Sequence, residues 1–292
     1  GLVKGASLGE GLGNKFLSHI RDVDQIVEVV RCFDDENITH VEGKTDPIRD
    51  IEIINTELIL ADYEIVENRI SKIEKKATTT KDKEALKELN VLNVCKENLE
   101  KNIPLRNIEF TVEDLDILKN FNFITLKKVI YVSNVGEEDI AQRGNDYSNR
   151  VDEFAKSENS ESIVMCAKLE SDLASLNDDD KREFLKELGI SESGLDRLIL
   201  SSYKLLGLRT FFTSGTDECR AWTFKDGMKA PACAGIIHSD FERGFIKAEV
   251  MSYDDLFTYG SELKVKEQGR LRLEGKDYLV QDGDIIYFRF NV

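Results

Sequence analysis

The sequence predicts an α/β fold followed by a smaller α+β domain, and three observations support this. Runs of β-branched and apolar residues at 26–33, 129–133 and 163–166 alternate with helical sequence, which is typical of parallel strands buried on both faces. A long interruption between the first two runs carries apolar residues at helical spacing. From residue 209 onward, short strands alternate around one main helix.

The N-terminal part begins with a glycine-rich segment over residues 1–14, which is unsuited to a helix interior, and a helix is expected over 15–20. In the interruption, two stripes follow heptad spacing and are separated by a polar break at 78–82. The first stripe comprises Ile59, Tyr63, Val66, Ile70, Ile73 and Ala77, and the second comprises Ala85, Leu89, Leu92 and Leu99. This pattern predicts an inserted antiparallel helical hairpin at about 56–103. Two ordinary core-facing helices fit it nearly as well, and only the length of the interruption favours the hairpin.

The sequence of the C-terminal part predicts a series of short strands that are separated by turns. The predicted strands are 210–213, 220–224, 245–251, 270–273, 278–280 and 285–290. They predict a separate α+β domain. The expected domain limits are therefore 1–207, including the hairpin, and 208–292.

Composition narrows the class of protein. Forty basic and 56 acidic residues leave a net charge of −16, which excludes a protein that coats nucleic acid with its whole surface. Residues 209–292 hold 12 basic and 14 acidic side chains, so this part is the better candidate for an anionic partner. No run is long enough to span a membrane, and we expect a cytoplasmic protein. The five cysteines form no C-x-x-C pair, so reduced core thiols are expected rather than disulfides or a metal site.

Three segments, taken in order, indicate nucleotide binding. Gly1-Leu2-Val3 resembles the end of the D-x-x-G switch of P-loop NTPases. Asn134-Val135-Gly136-Glu137 follows a buried strand, where such proteins carry the base-reading N-K-x-D loop, and Cys166-Ala167-Lys168 matches their S-A-K loop. Each segment alone is a weak signal. Together, at strand ends where open α/β sheets bind ligands, they are much stronger.

Further motifs along the whole chain resemble the YchF/Obg-like ATPase family. They are Gly9-Glu-Gly-Leu-Gly-Asn-Lys-Phe16, Val29-Val-Arg-Cys-Phe33, Asp46-Pro47 with Asn55-Thr-Glu-Leu58, Arg220-Ala-Trp222, Ile237-His238 through Asp240-Phe-Glu-Arg-Gly-Phe245, and Tyr278-Leu-Val-Gln-Asp-Gly-Asp284. The resemblance implies a Ras-like P-loop NTPase domain with an inserted coiled-coil hairpin, then a TGS domain of β-grasp fold. It also implies a hydrolase for ATP, with GTP bound more weakly, that associates with ribosomes.

The resemblance also assigns roles to residues. Gly1 is the expected switch II glycine, and Leu2 replaces a water-orienting Gln, which implies slow intrinsic hydrolysis because a hydrocarbon side chain cannot hydrogen-bond the attacking water. Asn134 and Val135 are expected to contact adenine, and Glu137 stands where a GTPase has Asp. Cys166, Ala167 and Lys168 are expected to pack against the base.

The sequence departs from the family pattern in two ways. Glu28 stands where many members have a His that is held to assist hydrolysis, so this carboxylate either points away from the triphosphate or the mechanism differs. In addition, G-x-x-x-x-G-K-[ST] does not occur, and the phosphate-binding loop and the Mg²⁺ ligands are expected upstream of Gly1. The alternative is a non-enzymatic module that binds a ribosomal or other partner.

The expected partner is the ribosome, through its RNA or its proteins, and we expect a monomer that binds no membrane and no metal through its own residues. The candidate phosphate contacts are Arg209, Lys264, Lys266, Arg270, Arg272 and Lys276. Ordinary solvated surface charge explains each of them equally well.

Overall fold

The computed structural model describes residues 13–38, 43–79, 82–215 and 218–291. It divides into two compact units, with the boundary between Ile199 and Leu200. This boundary falls inside a helix, and the sequence-based limits 1–207 and 208–292 stay a prediction.

The first unit contains three strands, nine α-helices and two 3-10 helices, Leu105–Asn107 and Lys119–Phe121, among the described residues. The strands are β1 (Gln25–Arg31), β2 (Lys128–Asn134) and β3 (Glu161–Met165). The helices are α1 (Gly13–Arg21), α2 (Pro47–Thr79), α3 (Lys83–Glu100), α4 (Val112–Leu118), α5 (Glu137–Ile140), α6 (Asp146–Ser157), α7 (Ala167–Leu173), α8 (Asp178–Glu187) and α9 (Gly194–Leu206), the last of which continues into the second unit.

The three strands form a parallel sheet in the order β1-β2-β3, which confirms the α/β prediction. Arg31 lies opposite Asn134, and Asn134 lies opposite Met165, so the carboxyl ends of the strands are level. Segments α2, α6, α7 and α8 supply side chains to the core beside this sheet. The alignment brings three loops to one edge of the sheet.

The prediction that every strand is buried on both faces holds for β2 and is wrong for β1. Val129 to Ser133 on β2 are all buried. On β1, Val30 is buried in the core, whereas Val27 and Val29 are exposed, Val29 by 64%. The difference arises because no described element covers the face of β1 that carries Val27 and Val29.

Helices α2 and α3 pack against each other along a shared apolar seam. The seam contains the predicted apolar positions of both stripes, among them Val66, Ile73, Ala85 and Leu92. Lys96 bonds Glu67 at 2.9 Å, and farther along Arg69 bonds Glu88, so the helices run antiparallel. Helix α2 begins at Pro47, earlier than the predicted hairpin limit of about 56. Proline is favoured at the first position of a helix, and the helical pattern continues back to it.

The buried carboxylate of Asp62 fixes this helical pair to the sheet domain. Asp62 is fully buried and accepts hydrogen bonds from Arg21 (2.9 Å), from the Ile124 and Thr125 amides (3.1 and 2.7 Å) and from the Thr125 hydroxyl (2.8 Å). Burying a charge is costly unless it is paired and hydrogen-bonded, and here both conditions are met. One side chain of α2 therefore orients α1 and the approach to β2.

A second buried network joins the same helices to β2. Arg106, 5% exposed, lies just after α3 and donates to Asn55 of α2 (2.8 Å) and to Glu158 at the end of α6 (3.3 Å). The Tyr131 hydroxyl of β2 donates to the same Glu158 oxygen at 2.9 Å. Burial raises the pKa of the neighbouring Glu28 to about 8, with Glu158 and Asp50 adding to the shift and Arg106 opposing it.

The second unit is a mixed sheet with helices on both faces. Its elements are the end of α9, β4 (Leu208–Ser214), β5 (Cys219–Lys225), α10 (Ala230–Ile237), α11 (Ser239–Arg243), β6 (Phe245–Ser252), α12 (Tyr253–Tyr259), α13 (Glu262–Glu267), β7 (Arg272–Glu274) and β8 (Asp284–Phe290). The strand order is β5-β4-β8-β6-β7, in which β4 and β8 are parallel and the other pairs are antiparallel.

Three predictions for this unit are corrected by the structure. Residues 278–280 form one isolated bridge, between Leu279 and Lys229, rather than a strand. Several short helices accompany the sheet instead of one main helix, because α12 and α13 cover the face opposite to α10. Cys219 is exposed on the outer strand β5, whereas the other four cysteines are buried as expected.

Within the described residues, no helix combines the length and the apolar character that a membrane span requires. The same residues contain no group of three or more His, Cys, Asp or Glu side chains that is arranged to hold a metal ion.

We expect Glu28→Gln to change how stability depends on pH. Because the pKa of Glu28 is raised to about 8 from its ordinary 4.5, the folded protein retains a proton that the unfolded chain loses between these values. The stability of the wild type therefore falls relative to the variant as pH rises through this window, by up to about 5 kcal/mol in total above pH 8.

Urea unfolding at pH 5, 7 and 8.5 measures this difference. The matched control is Glu183→Gln, since Glu183 is exposed and loses little hydration on folding. Parallel pH profiles for the wild type and Glu28→Gln would contradict the expectation.

Candidate nucleotide site

The candidate site lies where the three parallel strands end. The Cys32 amide donates to the Asn134 carbonyl at 2.8 Å, and the Val135 amide donates to the Met165 carbonyl at 2.9 Å. These bonds continue the sheet one step beyond the strands and hold the following loops side by side. The carboxyl edge of an open parallel sheet is the usual ligand position in α/β proteins.

The side chain of Asn134 joins the two predicted base loops. Its Oδ1 accepts a hydrogen bond from the Ala167 amide at 2.9 Å, which links the end of β2 to the first residue of α7. A carboxamide also carries two N–H donors, and within the described residues those of Asn134 make no bond. Asn134 therefore holds the loop after β3 through Oδ1, while its Nδ2 has no partner among the described residues.

Two of the predicted base contacts have buried side chains. Val135 is 2% exposed and Cys166 is 3% exposed, and both belong to the core beside the sheet. Their side chains therefore hold the loops in place. Any contact of these two residues with a base is made through backbone atoms.

The predicted residues Glu137 and Lys168 meet as an ion pair. Lys168 Nζ lies 2.7 Å from Glu137 Oε1, and the side chains are 75% and 48% exposed. The hydrogen bond that Lys168 donates to Glu137 raises the pKa of Lys168 above its ordinary value. The carboxylate that we predict at the position of a guanine-reading Asp is therefore paired with a side chain of the neighbouring loop.

The start of α9 supports the second base loop, and sequence reasoning missed this contact. Glu170 Oε1 accepts from the Gly194 amide at 2.7 Å, and Arg197 donates to the Val164 carbonyl of β3. A Cβ at position 194 would lie 2.5 Å from Met165 Cβ, so only glycine fits. The available signal was the helix start Ser193-Gly-Leu-Asp196, whose Ser hydroxyl caps the helix.

Asn145 is a second missed residue. Its Nδ2 donates to the Cys32 carbonyl at 2.8 Å and to Asp139 Oδ2 at 2.7 Å, and its Oδ1 caps α6 by accepting from the Ser148 amide. It therefore ties the loop after β1 to the helix that follows the first base loop. The only sequence signal was an Asn before a helical run.

Glu28 lies away from this edge. It is paired with Tyr131 in the strand register, three residues before the end of β1, and its neighbours are Arg106, Glu158 and Asp50. Its carboxyl group lies among these charged side chains, and both expectations for its relation to a triphosphate stay predictions.

The six basic candidates of the second unit have different surroundings. Arg272 bonds the buried Asp284 at 3.2 Å and the Tyr278 hydroxyl, and Arg209 lies 3.5 Å from Asp226. Lys264, Lys266, Arg270 and Lys276 are exposed and make no ion pair within the described part of the chain. Gly1 and Leu2, the predicted catalytic residues, lie outside the described residues.

Comparisons with known proteins give consistent results. Residues 208–291 match the family model YchF-GTPase_C, described as "Protein of unknown function (DUF933)". The chain is 58% identical to the Ribosome-binding ATPase YchF of Bacillus subtilis over 293 residues, covering 100% of this chain and 80% of that protein. The protein of the same name from Pasteurella multocida is 49% identical over 292 residues, with the same coverage.

Two solved structures share the fold. The YchF GTPase of Schizosaccharomyces pombe superposes with a TM-score of 0.86 at 37% identity, covering 96% of this chain and 75% of that chain. A GTP binding protein from Pyrococcus horikoshii gives a TM-score of 0.59 at 18% identity, covering 94% and 81%, and this likeness concerns the fold alone. The identity to relatives over the entire chain confirms the resemblance drawn from the motifs, and the chain belongs to the YchF family.

Proposed function

We propose that this protein is a ribosome-associated switch that binds and hydrolyses ATP in preference to GTP. The main support is the hydrogen bond between Asn134 and the Ala167 amide at the carboxyl ends of the strands. It joins the two loops that we predict to be the base-reading loops of a P-loop NTPase. The relatives named ribosome-binding ATPases support the activity and the partner. The structural relative is named a GTPase, so the names of the relatives do not decide between adenine and guanine.

The ion pair between Glu137 and Lys168 supports a preference for adenine. Guanine offers the N1–H and the exocyclic amine as paired donors, which a free carboxylate accepts. Here Lys168 already occupies one oxygen of Glu137, and guanine must compete for it. Adenine lacks this donor pair, so its binding does not depend on a free Glu137 carboxylate. The ion pair therefore favours adenine by weakening the hydrogen bonds that guanine could make with Glu137.

The phosphate end of the site is proposed from the resemblance alone. Gly1 is placed as the switch II glycine, and Leu2 cannot orient the attacking water, which favours slow hydrolysis unless a partner supplies a catalytic group. Mg²⁺ and the phosphates would be held by a P-loop upstream of Gly1. The described residues fit the base of the nucleotide, through the Asn134 amide and the loop backbones.

We expect ATP to bind the full-length protein at least roughly tenfold more tightly than GTP, which corresponds to about 1.4 kcal/mol. Isothermal titration with each nucleotide and Mg²⁺ measures the two dissociation constants. A tighter GTP constant would reject the proposed selectivity, and no binding of either nucleotide would favour the non-enzymatic module.

Lys168→Ala is expected to lower the ratio of the GTP dissociation constant to the ATP dissociation constant. The substitution releases Glu137, whose carboxylate can then accept from guanine, so GTP binding improves several-fold while ATP binding changes little. Lys156→Ala is the matched control, since Lys156 forms a similar exposed ion pair on α6 with Asp152. An unchanged ratio in Lys168→Ala would show that the ion pair does not set the selectivity.

A further inference from the structure

The helical pair α2–α3 is electrically polarised along its length. Residues 47–68, next to the sheet domain, contain one basic and six acidic side chains. Residues 69–79 and 82–88, which we call the tip, contain six basic and four acidic side chains. In a chain with a net charge of −16, the far end of this pair is therefore cationic, which average composition does not explain.

Ion pairs neutralise only part of the tip. Arg69 bonds Glu88 through Nε and Nη2, at 2.5 and 3.0 Å, and Lys76 lies 2.8 Å from Asp82. Lys87 bonds Glu113 of α4. Lys72, Lys75 and Lys83 are exposed and form no ion pair within the described part of the tip. These three ammonium groups are available to an external anion, beside the exposed carboxylates of Glu74 and Glu84.

The positions of these lysines form a continuous surface. Arg69, Lys72 and Lys76 are spaced by three and four residues, so they follow one stripe of α2, and Lys75 adjoins it. Lys83 is the first residue of α3, the helix that packs against α2. From Asn55, where Arg106 anchors α2, to the end of that helix at Thr79 the axial rise is about 36 Å. The charge thus lies far from the candidate nucleotide site.

We infer that the tip binds the phosphate backbone of RNA, an inference that rests on the proposed ribosome association. A lysine ammonium is a point charge that neutralises phosphates without a fixed geometry. Residues 69–88 contain no aromatic side chain, so the tip has no platform for stacking bases and no aromatic anchor for a membrane. The contact therefore reads charge rather than sequence, and it weakens with salt.

The test compares three variants of the full-length protein. Lys72→Gln/Lys75→Gln/Lys83→Gln removes the three free charges, and the corresponding triple Arg variant retains them. The control Lys119→Gln/Lys156→Gln/Lys186→Gln removes the same charge from exposed positions elsewhere in the first unit. The probes are a fluorescein-labelled RNA duplex of arbitrary sequence, titrated between 50 and 200 mM salt, and purified ribosomes in a co-sedimentation assay with ATP.

The triple Gln variant is expected to bind the duplex roughly tenfold more weakly at 100 mM salt, with a salt slope lower by about two to three. The triple Arg variant and the control should match the wild type, and the ATP dissociation constant should not change in any variant. Loss of ribosome binding in the triple Gln variant alone supports the inference further.

Two results would overturn the inference while leaving the proposed function intact. One is a triple Gln variant that binds RNA and ribosomes with the wild-type affinity and salt slope. The other is lysine-dependent ribosome binding without any binding of the RNA duplex, which assigns the tip to a ribosomal protein. If the wild type binds neither ribosomes nor RNA, the proposed partner and the inference both fail.

Discussion

The hydrogen bond from the Ala167 amide to Asn134 Oδ1 is the constraint on which the candidate site depends. A loop after a parallel strand has no partner strand to hold it, and its backbone groups must be satisfied by other means. Here the side chain at the end of β2 supplies the acceptor for the loop after β3. The two loops therefore take up one arrangement, and Glu137 and Lys168 are close enough to pair.

Helices outside the sheet extend this constraint. Hydrogen bonds of Glu170 and Arg197 hold the start of α9 against the segment around the loop after β3. Asn145 links the loop after β1 to the loop after β2. Since α9 runs on into the second unit, the segment that holds the base loop is also the one that connects the units. At the other end of the domain, Asp62 and Arg106 anchor the helical pair through buried, hydrogen-bonded charges.

Local sequence patterns predicted those elements whose residues share one kind of surroundings, such as a strand that is buried on both faces. Strand β2 was predicted within one residue at each end because β-branched side chains suit both buried faces. The residues at strand ends were also predicted, since chain order alone brings Asn134 and Ala167 to one edge. Glu170, Gly194 and the exposed face of β1 could not be predicted, because they depend on contacts between distant segments and on strand order. The segment 278–280 consists of β-favouring and apolar residues, yet it pairs only at Leu279.

We expect the candidate edge at the strand ends to be assembled before any nucleotide binds. Amide hydrogen exchange of the nucleotide-free, full-length protein at Ala167 and Gly194 tests this claim most directly. Both amides are hydrogen-bonded to side chains in the structure, so we predict exchange at least about a hundredfold slower than in an unfolded chain, with protection at Ala167 lost in Asn134→Ala. Exchange of both amides at the rate of an open loop would contradict the account.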